Sequence, residues 1–142
     1  MERPTKTLVI DASVTIKWFV PEVGGDKALK LRNEHVDGSL VLQAPDLLVW
    51  EVANALRYHP EITDEQLAEN LQSLIDIDID LISPTPTLLN LTVRRARELD
   101  ITSYDASYLA LAELASTQLI TADKELHLKA KATKRILRLD DL

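Results

Sequence analysis

The sequence predicts an α/β fold, a three-layer αβα sandwich in which a five-stranded parallel sheet lies between helices. Five short apolar segments alternate with longer segments of helical periodicity along the 142 residues, and prolines and glycines stand between many of them. Strands that alternate with helices at this spacing form βαβ units, whose strands run parallel and are covered on both faces. A chain of this length suits one domain, spanning residues 1–142.

The predicted strands are short and mostly aliphatic. The first, at residues 7–10, has the continuous apolar run with β-branched side chains that is typical of a central parallel strand. It ends at Asp11. The other strands are predicted at residues 40–42, 80–82, 119–120 (running into Thr121) and 136–137.

Helices are predicted at residues 13–20, 26–36, 45–58, 63–75, 86–99, 104–115 and 124–132. Pro21 stops the first, and Pro45 suits the first turn of the third. Thr63 and Gln66 have the spacing of a capping box at the start of the fourth. The third helix is apolar nearly all round, and this pattern predicts a buried helix.

The fifth helix is predicted to be amphipathic. Leu89, Val93 and Ala96 recur at helical spacing, so we expect them to face the core. Three arginines are expected to lie mostly on the outer face: Arg94, Arg95 and Arg97.

Composition narrows the possible functions. The net charge of -7 argues against broad electrostatic binding of nucleic acid. An acidic segment at residues 61–80 and a basic one at residues 124–138 are interpreted first as solvated helix faces, although a basic end beside an acidic site would help to hold a polyanion. The chain has no cysteine, so a metal ion would need oxygen or histidine ligands.

The sequence contains no segment that indicates a membrane or an export route. No apolar run approaches the roughly 20 residues that span a bilayer. Residues 1–6 lack the apolar core of a signal peptide. We therefore expect a cytoplasmic location and no membrane partner.

Two aspartates follow predicted strands directly. Asp11 ends the first strand, and Asp123 follows the strand at residues 119–120 in the same way. Each alone is explained as the N-cap of the helix after it. If the two strands are neighbours at the point where the strand order reverses, however, both carboxylates face one crevice, which is where open α/β sheets bind ligands.

Two further acids stand at informative positions in helices. Asp105 lies in a first helical turn and has capping-box spacing from Thr102, so a purely structural role is a strong alternative. Glu51 lies in the middle of the apolar third helix, on a polar stripe with Asn54 and Tyr58. A buried carboxylate needs a partner, and Arg57 or a metal ion is the expected one.

The sequence lacks the motifs of several other kinds of functional site. The glycines, at positions 24, 25 and 38, form neither a P-loop nor a dinucleotide-binding loop. His35, His59 and His127 form no metalloprotease pair and no evident triad with serine, so we interpret them as surface or satisfied residues. An all-oxygen cluster of acids remains, and it suits Mg²⁺ or Mn²⁺.

Four segments together resemble the PIN-domain nucleases, and among these the small VapC-type toxins of toxin-antitoxin pairs. The segments cover residues 10–13, 51–56, 104–112 and 121–124, in the order of the family. The resemblance implies the strand order 3-2-1-4-5 and carries over the catalytic, metal-binding acids Asp11, Glu51, Asp105 and Asp123. It also implies polar supports at Ser13, Asn54 and Thr121. One departure is Leu126-His127, where members of the family often have an aromatic residue.

The function implied by this resemblance is that of a metal-dependent endoribonuclease, the toxin of a VapBC-type system. It implies Mg²⁺ (or Mn²⁺) as cofactor, RNA as substrate, a homodimer and a cognate antitoxin protein. We hypothesise that the RNA backbone is held by five basic residues: Lys124, Lys129, Lys131, Arg94 and Arg97.

Two alternatives belong to other classes. A phosphotransferase of haloacid-dehalogenase type also begins with an aspartate after the first strand, but it needs a second aspartate two residues later, where this chain has Ser13. A non-catalytic PIN-like domain that binds RNA or protein is the other alternative, and all four acids being present argues against it.

Overall fold

A parallel sheet of five strands organises residues 5–142, the part of the chain that the computed structural model describes. The strands are β1 (Lys6–Ile10), β2 (Leu40–Pro45), β3 (Asp80–Ile82), β4 (Leu119–Thr121) and β5 (Ile136–Arg138). Their order is β3-β2-β1-β4-β5. The predicted fold class and strand order are confirmed. Residues 1–4, most of the segment that was examined for a signal peptide, lie outside the described residues.

Seven α-helices connect the strands within the described chain: α1 (Ala12–Thr15), α2 (Gly25–Val36), α3 (Leu47–Leu56), α4 (Asp64–Asp76), α5 (Pro86–Leu99), α6 (Ser103–Leu114) and α7 (Lys124–Ala130). The right-handed rule for parallel crossovers, applied to this strand order, predicts α2 to α4 on one face of the sheet and α5 to α7 on the other. The predicted capping box is confirmed, because Thr63 and Gln66 exchange both hydrogen bonds at the start of α4. None of the helices in residues 5–142 has the length and apolar character needed to cross a bilayer.

The order of the strands reverses at β1, which pairs with β2 on one side and with β4 on the other. Val9 and Ile10 of β1 pair with Leu119 and Ile120 of β4, and all four side chains are fully buried. This central pair is apolar because helices cover it on both faces. Both strands end at the same edge of the sheet, so the residues after them share one crevice.

Two predicted helices differ from their observed forms. The first is a single turn, α1, that continues as a 3-10 turn and ends at Trp18 rather than at residue 20. Its β-branched residues and Pro21 explain the early end. The third starts at Leu47, because Pro45 is still paired in β2, and it is not buried all round: the Trp50 side chain is 75% exposed.

The predicted inner face of α5 is wrong by one residue. Leu88 and Thr92 are buried, whereas Leu89 is 52% and Val93 48% exposed. The two pairs have the same helical spacing, so periodicity alone cannot choose between them. Because Thr92 is polar, the buried pair Leu88 and Thr92 is less apolar than the exposed pair Leu89 and Val93 and was therefore not chosen.

The exposed apolar residues of α3 and α5 belong to one groove of about 370 Å³. We call it the apolar groove; its walls come from α3, α5, the start of α6 and the ends of β2 and β3. The exposed side chains along it include Trp50, Leu89, Val93 and Tyr104. Asp46 is its one charged residue among those that the structure describes.

An ion pair joins α5 to α6. The Arg95 guanidinium donates from Nη2 and Nε to the two Glu113 carboxylate oxygens, at 2.7 and 2.9 Å, and from Nη1 to Glu98 at 2.8 Å. The Arg95 side chain is only 21% exposed. Arg95 therefore faces α6 rather than solvent, unlike Arg94 beside it, which is exposed.

The first testable prediction concerns this pair. Arg95→Met should lower the free energy of unfolding by about 1–2 kcal/mol, since a bidentate, partly shielded pair is stronger than an open surface pair. Arg94→Met is the matched control and should change it by less than about 0.5 kcal/mol. Urea denaturation at neutral pH measures both.

The effect of pH tests the same pair independently. Arg95 lowers the pKa of Glu113 below its usual 4.5. The stabilisation is therefore complete above that value and is lost as the pH falls through the folded pKa. A difference between Arg95→Met and wild type that persists unchanged in acid would contradict an electrostatic origin.

Candidate active site

Asp11 lies at the centre of the crevice between β1 and β4 and is only 6% exposed. The Ser13 hydroxyl donates to Oδ1 and the Thr121 hydroxyl to Oδ2, both at 2.5 Å. The Val14 N–H also donates to Oδ1, at 3.3 Å, so Asp11 caps α1. Burial raises the pKa of Asp11 from 3.8 to about 6, although these hydrogen bonds oppose the rise.

The two hydroxyls that hold Asp11 also hold the chain after β4. The Ala122 N–H donates to Ser13 Oγ at 2.9 Å, and the Asp123 N–H donates to Thr121 Oγ1 at 3.0 Å. Each hydroxyl thus links the Asp11 carboxylate to a backbone amide just after β4. Ser13 and Thr121 thus contact the Asp11 carboxylate directly, and their part in a catalytic site stays a prediction.

Asp123 stands at the start of α7 and is exposed. Its Oδ1 accepts hydrogen bonds from the N–H groups of Glu125 and Leu126, at 3.0 and 3.1 Å. The capping interpretation of Asp123 is therefore correct in itself. The cap also fixes the direction of the carboxylate, because Oδ1 is held by two amides while the side chain borders the crevice.

Glu51 finds a partner that the sequence analysis did not name. The buried Tyr108 hydroxyl of α6 donates to Glu51 Oε1 at 2.5 Å. Burial raises the pKa of Glu51, while this hydrogen bond opposes the rise and the charge of Asp105 adds to it. Arg57, the partner expected from the sequence, instead hydrogen bonds with Asn54 and Tyr58.

Asp105 lies in the first turn of α6, and its N–H donates to Thr102 Oγ1 at 3.0 Å. Burial raises the pKa of Asp105, and the negative charges of Asp123 and Glu125 raise it further. The negative charge of Asp105 in turn contributes to the raised pKa values of Asp11 and Glu51. It is therefore the acid that couples the other three electrostatically.

The four predicted acids are linked electrostatically, because the negative charge of Asp105 acts on Asp11 and Glu51 and that of Asp123 acts on Asp105. None of the ion pairs found in residues 5–142 includes any of them. Like charges that share a site favour protonation or a bound cation. The crevice therefore has the electrostatics of a cation site.

A divalent cation fits this donor set by its chemistry. The donors are carboxylate and hydroxyl oxygens, which hard cations such as Mg²⁺ and Mn²⁺ prefer. Within the described residues no three His, Cys, Asp or Glu side chains are close enough to form a ready-made metal site. Mg²⁺ is commonly bound through one or two carboxylates with water completing the shell.

A polar cleft of about 250 Å³ extends from the crevice along α7. Asp105 and Asp123 line it together with Glu125, which the sequence analysis did not single out. Lys129 lies at its wall, where Nζ donates to the Asp100 carbonyl at 2.9 Å and is 3.8 Å from Glu125 Oε1. Lys129 thus ties α7 to the loop before α6.

The other predicted supports form no side-chain hydrogen bond or ion pair with the four acids within residues 5–142. Asn54 is exposed, and its Oδ1 accepts a hydrogen bond from Arg57 Nε at 2.8 Å. Lys124 is exposed beside Asp123, whereas Lys131 follows the far end of α7. The two remaining cations of the predicted set are exposed on α5: Arg94 and Arg97.

Tyr108 is the site residue that the sequence could have indicated but did not. It lies one helical turn after Asp105 in an apolar helix, and a buried tyrosine needs a hydrogen-bond acceptor for its hydroxyl. The acceptor, Glu51, is 57 positions earlier in the chain. Only the packing of α6 over the sheet brings the two together.

Comparison with known proteins gives a consistent result. A model of the PIN domain family matches residues 8–132. Ribonuclease VapC3 of Pyrobaculum aerophilum is 30% identical over 123 residues, which cover 84% of this chain and 91% of that protein.

Two solved structures have the same fold. PAE2754 from Pyrobaculum aerophilum has a TM-score of 0.67 and 26% sequence identity, with 97% of this chain and 94% of that chain covered. FitAcB from Neisseria gonorrhoeae has a TM-score of 0.67 at 12% identity, with 95% and 99% covered, which is a likeness of fold alone. The sheet order, the crevice and the family match agree, and the chain belongs to the PIN-domain family.

Proposed function

We propose that this protein is a metal-dependent endoribonuclease that hydrolyses RNA phosphodiester bonds and acts as the toxin of a VapBC-type toxin-antitoxin pair. The observation that carries the proposal is that Asp105 acts electrostatically on Asp11 and Glu51, and Asp123 on Asp105, while no ion pair within residues 5–142 neutralises any of these acids. The similarity to a relative named ribonuclease VapC3 supports RNA as the substrate.

In this proposal the four acids would together hold the cation. A bound Mg²⁺ or Mn²⁺ would supply activation of a water molecule and neutralisation of charge on the scissile phosphate. Asp11 would hold the cation from the floor of the crevice, where Ser13 and Thr121 fix both of its oxygens. Glu51, Asp105 and Asp123 would complete the cluster from three different helices.

RNA and protein partners follow from the same proposal. An acidic crevice repels RNA, so cations around it are needed, and Lys124 is the best placed because it is exposed next to Asp123. Lys129, Lys131, Arg94 and Arg97 remain predicted RNA contacts. A cytoplasmic location and a cognate antitoxin are part of the proposal.

We further propose that two copies of the chain associate through the apolar groove. A monomer rarely exposes a contiguous apolar patch of this kind. Because each chain has a net charge of -7, a surface almost free of charge is where two copies can meet.

The proposed activity predicts that wild type cleaves a mixed RNA pool with Mg²⁺ or Mn²⁺ and not with EDTA. Asp11→Asn or Asp123→Asn should abolish cleavage, because each removes a carboxylate from the cluster. Asp64→Asn, at an exposed aspartate of α4, is the matched control and should cleave normally. Metal binding without cleavage of any RNA would favour the non-catalytic alternative.

Folding without metal gives a second prediction. Because the folded pKa of Asp11 is raised, the stability of the chain in EDTA should fall as the pH rises from 3.8 to about 6. Asp11→Asn should therefore be more stable than wild type at pH 7, by about 3 kcal/mol. The difference should shrink as the pH is lowered through that window, as urea denaturation would show. A variant that fails to fold would identify Asp11 as a structural cap.

The proposed homodimer is tested by light scattering after size exclusion. Leu89→Glu puts a charge in the apolar groove and should yield monomers, whereas Leu128→Glu, at an exposed leucine of α7 outside it, should leave the dimer intact. Monomeric wild type would refute the homodimer. A dimer that survives Leu89→Glu would refute the groove as its interface.

A further inference from the structure

The outer end of α3 carries a small cluster of polar residues that the acids do not use. Asn54, Arg57 and Tyr58 follow Glu51 along the helix, and all three are exposed. The side-chain Oδ1 of Asn54 accepts a hydrogen bond from Arg57 Nε at 2.8 Å. Arg57 Nη2 donates to the Tyr58 hydroxyl, and the guanidinium carbon lies 3.9 Å from the centre of the Tyr58 ring.

The partners of Arg57 are neutral, which distinguishes it from the paired cations of the chain. Within residues 5–142, Arg57 forms no ion pair, whereas Arg95 and Arg138 are each paired with carboxylates. An amide oxygen and an aromatic ring restrict the guanidinium without cancelling its charge. Arg57 is therefore a positioned cation whose charge is available to an anion from outside.

The cluster lies at the end of the helix that carries Glu51. Arg57 follows Glu51 by six positions, about 9 Å along the axis of a helix. Its hydrogen bond to Asn54 draws the guanidinium back toward the face that carries Glu51. A single extended polyanion can touch both the acidic crevice and this cation.

We propose that Arg57 binds a backbone phosphate of the RNA next to the one at the acidic cluster, with Asn54 and Tyr58 as its positioning residues. This inference rests on the proposed ribonuclease function. The planar guanidinium suits a phosphate because two of its N–H groups can bind two oxygens at once. Asn54 then supports substrate binding rather than the carboxylates.

The test is RNA binding as a function of salt, measured with a fluorescent single-stranded RNA of random sequence. All proteins carry Asp123→Asn so that the RNA stays intact. Arg57→Gln should raise Kd about tenfold. It should also reduce the slope of log affinity against log salt by about 0.7, the value for one phosphate contact on a single strand.

Two further variants make the test specific. Arg57→Lys keeps the charge but not the fork, so it should retain the salt slope while binding more weakly than wild type. Arg32→Gln is the matched control, since Arg32 is held by the Asn33 side chain on α2, away from the acids, and it should bind normally. Unfolding midpoints in urea verify that each variant is folded.

The outcomes separate this inference from the proposed function. Unchanged affinity and salt slope in Arg57→Gln overturn the role of Arg57, even if wild type with Asp123 intact cleaves RNA. A lost phosphate contact supports Arg57, even if wild type cuts no RNA. Absence of both RNA binding and cleavage in wild type overturns both.

Discussion

A charge can be buried at the end of a parallel strand only if each oxygen that carries it has a donor, and Asp11 meets this condition with two hydroxyls from different strand ends. The Ser13 and Thr121 hydroxyls also accept hydrogen bonds from the backbone N–H groups of residues 122 and 123. The end of β4 is therefore tied to the end of β1. The position of Asp123 follows from this tie. The geometry of the crevice therefore depends on the hydrogen bonds that the protein donates to the Asp11 carboxylate.

The helices and strands could be predicted largely from local patterns in the sequence. The predictions that were wrong have a physical cause. Strand positions agree with the structure, because aliphatic runs and proline or glycine boundaries are local signals, whereas the strand order was implied by the resemblance to PIN-domain nucleases. The inner face of α5 could not be chosen, since Leu88 with Thr92 and Leu89 with Val93 have equal spacing. An apolar side chain such as Trp50 looks the same in a sequence whether it faces a core or an open groove.

The site was predicted less completely than the fold. The four acids could be selected because an acid after a strand or inside an apolar helix is unusual, and the resemblance to PIN-domain nucleases supplied the set. Their partners could not, since Glu51 and Tyr108 meet only through tertiary packing. Likewise, nothing local indicates that Lys129 is bound to the Asp100 carbonyl or that Arg57 is held by neutral groups.

Helix α6 carries Asp105 in its first turn and Tyr108 in its second, and it also contributes Ser103, Tyr104 and Ser107 to the apolar groove. One rigid element thus borders both the acids and the proposed dimer surface. A displacement of α6 would move Asp105 and the tether of Glu51 together, by the same amount and in the same direction. Two copies that met at the groove would therefore contact the same helix that positions Asp105 and the hydrogen-bond partner of Glu51.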